Sequence, residues 1–166
     1  MIHIRPAVTS DVARITEIYN DAILHTSATF DIEVKTVEDR MKWFLNRTSL
    51  HPVLVAETEG KVVGYCSLGR WSERCGYDGT AEVGIYIDAA YRGKGIGKQL
   101  LEILTAEAEK LGLHSLISRI TQGNLSSIHI HEKFGFQHVG LIKEAGKKFG
   151  KYHDVHMMQK MFPGNP

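Results

Sequence analysis

Gly93, Gly95 and Gly97 alternate with Lys94 and Ile96 and are bracketed by Arg92 and Lys98. Unpaired backbone N–H groups at a helix start face an anion, and glycine lets a phosphate come close to them. A helix N-terminus favours Asp or Glu in its first turn, whereas this one carries Arg92, Lys94 and Lys98, an arrangement that an anion would stabilise. Spacing excludes two familiar phosphate loops. A dinucleotide fingerprint needs glycine where Lys98 stands, and a P-loop needs glycine at Arg92 and Ser or Thr at Gln99. Upstream, Glu82 interrupts the apolar, β-branched run Ala81-Glu82-Val83-Gly84-Ile85-Tyr86-Ile87. A carboxylate there needs a charge partner, a hydrogen-bond network or a task.

Other reactive side chains form weaker patterns. His129 and His131 are two apart on an expected helix and point to different sides, so they cannot share a metal ion. His153 and His156 have no cysteine or carboxylate at ligand spacing, and no metal site is expected. Cys75 lacks the partner pattern of a nucleophile.

Elements that could position these groups follow from periodicity. Ile96, Leu100, Leu101, Leu104, Ala108 and Leu111 recur at helical spacing, with Gly112 as the stop, so the glycines open a helix. Before them, Gly84 suggests a bulge that splays the Glu82 strand. Ile2 to Arg5 alternates as a strand closed by Pro6, and Thr9 or Ser10 can cap a helix through Ile23. Thr36-Val37-Glu38-Asp39 resembles a capping box, and Glu59-Gly60 suits a hairpin turn between strands Val53–Ala56 and Val62–Cys66. Strand, short helix and two closing strands are expected at His114–Ile120, Asn124–Phe134, Phe136–Ile142 and Tyr152–Met161. The order β-α-α-β-β-β-α-β-α-β-β is α/β on a mixed sheet.

At 166 residues, with 43% hydrophobic and 23% charged residues, the chain reads as one domain over residues 1–162, with a flexible tail at 163–166. A net charge of +1 argues against nucleic-acid or anionic-membrane partners. Two cysteines outside any Cys-x-x-Cys pattern, and an N-terminus without a signal-like apolar core, point to the reduced cytoplasm.

Arg92-Gly93-Lys94-Gly95-Ile96-Gly97 resembles in full the Arg/Gln-x-x-Gly-x-Gly/Ala signature of the GCN5-related N-acetyltransferases (GNAT). That resemblance implies the GNAT acyl-CoA acyltransferase fold, a mixed and mostly antiparallel sheet flanked by helices. It also implies that the loop Arg92 to Lys98 holds the pyrophosphate of acetyl-CoA, and that the Ile85, Tyr86 and Ile87 backbone pairs with the pantetheine arm. Asn124-x-x-Ser127-x-x-x-His131-x-x-x-Gly135-Phe136 resembles the second motif of the family, in which Asn124 and Lys133 match positions that contact CoA. Most members carry at the position of His131 a tyrosine that often protonates the departing thiolate. His131 could take that role, bind substrate or be structural.

Trp71-x-x-Arg74-x-x-Tyr77-Asp78-x-Thr80-x-Glu82, His131-Glu132 and Ala145-Gly146-x-Lys148-x-Gly150-x-Tyr152-His153-Asp154-Val155 look like the phosphinothricin and methionine sulfone (methionine sulfoximine) acetyltransferase branch. By that likeness Phe30, Arg74, Tyr77, Glu82 and Val155 would line the acceptor pocket, and the protein would be a homodimer paired through C-terminal strands. Ser72 stands where phosphinothricin enzymes tend to carry Lys. The expected activity is transfer of acetyl from acetyl-CoA to the α-amine of a small modified amino acid, with Glu82 as base through water. The alternatives are a non-catalytic acyl-CoA-binding sensor and a protein or peptide N-acetyltransferase.

Overall fold

The computed structural model describes residues 1–166. Seven strands, β1 (His3–Pro6), β2 (Val53–Thr58), β3 (Lys61–Arg70), β4 (Thr80–Ile87), β5 (Ser115–Thr121), β6 (Gln137–Lys148) and β7 (Lys151–Met161), form one sheet in the order β1-β2-β3-β4-β5-β7-β6. Four helices accompany it: α1 (Val12–His25), α2 (Val37–Leu45), α3 (Ile96–Lys110) and α4 (Leu125–Lys133). Every neighbouring pair is antiparallel except β4 and β5, which α3 connects by a crossover.

Alternation along β2 divides the core between the two faces of the sheet. Leu54 and Ala56 join Leu100, Leu101 and Leu104 of α3, whereas Val53 and Val55 join Ile15, Ile18 and Ile23 of α1. The Thr36 capping box forms as expected, and Glu59 and Gly60 turn the β2–β3 hairpin with φ of 51° and 73°.

Pro6 ends β1 as expected, at the sheet edge where its missing N–H is tolerated. Other expectations are corrected. Thr9 and Ser10 belong to a short 3-10 turn, and α1 starts after Asp11, whose carboxylate binds the Arg5 guanidinium at 2.8 and 3.0 Å. β6 runs six residues beyond Ile142 because an irregularity between Ile142 and Gly146 lets it rejoin β7. The Asn165 side chain donates to the Glu109 and Leu113 carbonyls at 2.8 and 2.9 Å, and its own carbonyl lies 2.6 Å from His114 Nδ1.

The parting of β4 and β5 matters most for function. They pair only at Thr80–Ser115, Ala81–Leu116 and Glu82–Ile117. Gly84 itself makes no bulge, since β3 and β4 stay in register through it. β5 diverges instead and leaves one backbone edge of β4 free from Val83 onward.

Candidate active site

One end of that free edge meets the glycine loop. Gly93 and Gly95 have φ of 74° and 78°, a left-handed region where a side chain is strained, and the space around both Cβ positions is open. Gly95 N-caps α3, and its carbonyl accepts the Gln99 N–H at 3.2 Å, so the N–H groups of Ile96, Gly97 and Lys98 precede the intrahelical ladder. Ile96 is 1% exposed, so only its backbone can serve an anion. A Cβ at Gly97 would meet Ile130 Cδ1 of α4 at 3.8 Å, an ordinary van der Waals contact.

The cations do not all face this turn. Arg92 points back to the Ile87 carbonyl and to Asp21, each at 3.2 Å, so its side chain braces α1 against the end of β4. Lys94 sits 4.8 Å above the Tyr91 ring, and Lys98 is exposed.

The other end of the edge opens on a cavity of about 600 Å³ whose walls include Phe30, Glu82, Tyr86, Arg119, Gly146 and Val155. Three of the five residues expected to line an acceptor pocket are thus together. Arg74 and Tyr77 are not: both are exposed on the β3–β4 connection, where Tyr77 ends a short 3-10 turn.

Phe30 lays its ring face over Gly146 of β6, where a Cβ would stand 2.5 Å from the ring atoms. The loop that carries it is fixed from below by Lys148, whose ammonium donates to the Thr29 carbonyl at 2.8 Å, and by Thr121, whose hydroxyl donates to the Ser27 carbonyl. Burial holds the Lys148 amine below its ordinary value. Glu144, in the irregular stretch of β6, has φ of 49° and donates its N–H to Asp154 at 2.7 Å. Gly146→Ala is expected to cost about 1–3 kcal/mol by overpacking against Phe30. Urea unfolding checks this, and an unchanged midpoint would show that the ring moves aside freely.

Glu82 is 24% exposed and forms a bidentate pair with Arg119, Oε1 to Nε at 2.7 Å and Oε2 to Nη2 at 2.8 Å. Each oxygen keeps a second lone pair for a water or a substrate. Tyr86 stacks on Tyr65 at 5.5 Å and meets Tyr19 edge-on at 5.1 Å, and burial pushes its phenol up to about 12.

A smaller cavity of about 60 Å³ adjoins the first and shares Arg119 and Tyr86 with it; Gly84, Ile85, Asn124 and His131 also line it. Asn124 caps α4 by accepting the Ser127 N–H, whereas Lys133 is exposed at the far end of that helix. His131 is 3% exposed. Its Nδ1 lies 2.7 Å from the Ser127 carbonyl, which can only accept, so Nδ1 carries the hydrogen and Nε2 has a free lone pair. That Nε2 is buried without a partner, as is Ser118 Oγ in the same cavity wall. Burial lowers the pKa of His131, partly opposed by the Ser127 bond. No three His, Cys, Asp or Glu side chains converge as a metal cluster.

Residues 4–157 match the acetyltransferase (GNAT) domain. The chain is 40% identical over 157 residues to the L-methionine sulfoximine/L-methionine sulfone acetyltransferase of Salmonella typhimurium, covering 94% of this chain and 92% of that one. It is 38% identical over 157 residues to the L-amino acid N-acyltransferase MnaT of Escherichia coli, covering 94% and 91%. The crystal structure of a phosphinothricin acetyltransferase from Sinorhizobium meliloti in complex with AcCoA superposes with a TM-score of 0.94 at 34% identity, over 97% of this chain and 88% of that one.

Proposed function

This chain belongs to the GNAT family and is an acetyl-CoA-dependent N-acetyltransferase, and we propose that its acceptor is the α-amine of a small modified amino acid of the phosphinothricin, methionine sulfoximine or methionine sulfone type. The observation that carries this reading is the free edge of β4, with a glycine-rich helix start at one end and a cavity holding Glu82 at the other. A cavity of about 600 Å³ suits a small acceptor and favours this reading over a protein or peptide tail.

Acetyl-CoA supplies an activated carbonyl and a thiolate leaving group. The backbone of Gly93 to Lys98 would hold its pyrophosphate, and Ile85 to Ile87 would pair with its pantetheine arm; Asn124 and Lys133 would flank it. Successive residues of a strand present N–H groups to opposite sides, so one of Ile85 and Tyr86 aims its N–H at the open edge, where charge develops on the thioester oxygen. Glu82 would take the amine proton through a water bound at a free lone pair. His131 Nε2 is a second proton acceptor in the adjoining cavity, and once protonated it can return the proton to the thiolate. Phe30 and Val155 would wall the acceptor, whereas Arg74 and Tyr77 could contribute only if the β3–β4 connection folded inward.

A homodimer would cover the exposed edge of the sheet, where β6 and the turn after it present Val139, Leu141, Ile142 and Phe149 beside Tyr152 of β7. Two free cysteines agree with a cytoplasmic setting; no helix is long and apolar enough to cross a membrane.

Thiol release with methionine sulfone, methionine sulfoximine and phosphinothricin tests the acceptor. Turnover of at least one is expected, and turnover of none would remove the assignment. Tight acetyl-CoA binding without acceptor-dependent release would point instead to a sensor. Gly95→Ala probes the cradle: the free loop of the alanine variant is expected to relax out of the left-handed conformation, and restoring it on binding costs about 1–2 kcal/mol, so acetyl-CoA affinity should fall roughly tenfold in calorimetry. Unchanged affinity would place the pyrophosphate elsewhere.

A further inference from the structure

Arg119 stands where the two cavities meet and lines both. β5 brings it there two residues beyond Ile117, the pairing partner of Glu82 on β4. Its Nε and Nη2 are taken by Glu82, which leaves Nη1 outside the pair. The side chain is 55% exposed, with the Trp71 ring centroid 5.8 Å from the guanidinium carbon. A purely structural ion pair would account for the bond to Glu82, but not for a guanidinium that faces the acceptor space with donors to spare.

We propose that Arg119 binds the α-carboxylate of the acceptor, so that Glu82 and Arg119 together match the zwitterionic head group of an α-amino acid. This inference rests on the acceptor reading above and adds to it the residue that recognises the acceptor's carboxylate. In such an acceptor one carbon separates amine from carboxylate. A carboxylate and a guanidinium already in contact span that spacing: the amine approaches Glu82, and the carboxylate takes the Nη1 donors of Arg119. A guanidinium is suited to this because its planar fork can serve two carboxylates at once, whereas an ammonium offers no fixed fork.

The test compares methionine sulfone with its α-carboxamide in wild type, Arg119→Gln and Arg119→Lys, reading kcat/KM at one pH. Wild type should prefer the acid by about tenfold to a hundredfold, the range of a charge-assisted hydrogen bond. Arg119→Gln should bring that ratio close to one, and Arg119→Lys should leave an intermediate ratio. Loss of the Glu82 contact slows both acceptors and cancels in the comparison. Acetyl-CoA binding measured by calorimetry should persist in both variants and show that they are folded. A ratio that survives in Arg119→Gln overturns the inference, as does a wild type indifferent to the carboxylate, and neither touches the acetyltransferase reading. A wild type that turned over neither compound, and neither methionine sulfoximine nor phosphinothricin, would overturn the acceptor reading and this inference with it.

Discussion

Glu82→Gln should lower kcat by about 10²- to 10⁴-fold, the usual contribution of a positioned proton acceptor, while acetyl-CoA affinity stays within a factor of about 3. Glutamine keeps the size of the side chain and a carbonyl that can accept from Arg119, so the cavity wall is preserved. It cannot take up a proton. Arg119 loses a full charge partner, but at 55% exposure it is solvated and not stranded, so the fold should tolerate the change. The glycine loop and the Ile85 to Ile87 backbone lie farther along the chain from the amide and should bind the cofactor as before. Steady-state thiol release paired with calorimetry separates the two effects. A kcat within about threefold of wild type would show that Glu82 only braces Arg119, and the base would have to be found elsewhere.

What the sequence disclosed and what it hid divide along chain distance. The helix opened by Gly95, the capping box at Thr36 and the Glu59-Gly60 turn rest on neighbours within a few residues, and each stands where local spacing puts it. The splay of the Glu82 strand was legible as a need, but its cause was misread. Gly84 remains in register, and it is β5 that leaves after Ile117. Such a divergence depends on a crossover and two packed layers, and no single residue encodes it.

Arg119 shows the same limit and also a missed clue. Ser115 to Thr121 is a mostly buried strand with one cation as its single charge, just as Thr80 to Ile87 is an apolar strand with one carboxylate. Two lone opposite charges in two strands joined by a helix invite the expectation that they meet across a parallel pair. Arg74 lies outside the cavity for the opposite reason. Its pattern matched a branch of the family, but its position in an exposed loop is a tertiary property that spacing does not carry.

His131→Gln should lower kcat by about 10²-fold or more and remove an acid limb from the pH–rate profile. Glutamine can set a polar atom near the place of the imidazole Nε2, but it does not titrate. In wild type the free lone pair of Nε2 must be available, so activity falls as His131 gains a proton. Burial lowers that pKa below the ordinary 6.5, so the limb should lie on the acid side of 6.5, with a plateau above it. The stability of the fold should follow the same group with the same sign. The unfolded chain binds a proton near 6.5 and the native one only at lower pH, so the unfolded state holds more protons in the interval between. Stability is complete above 6.5, declines as pH falls through that interval and levels off beneath the native pKa. His131→Gln removes this contribution together with the acid limb of the rate. Urea melts and initial rates measured across the same pH series provide the check. Because both signatures arise from one buried ring, a variant that kept the acid limb would assign it to another residue, and Nε2 would stand in the small cavity as a structural atom only.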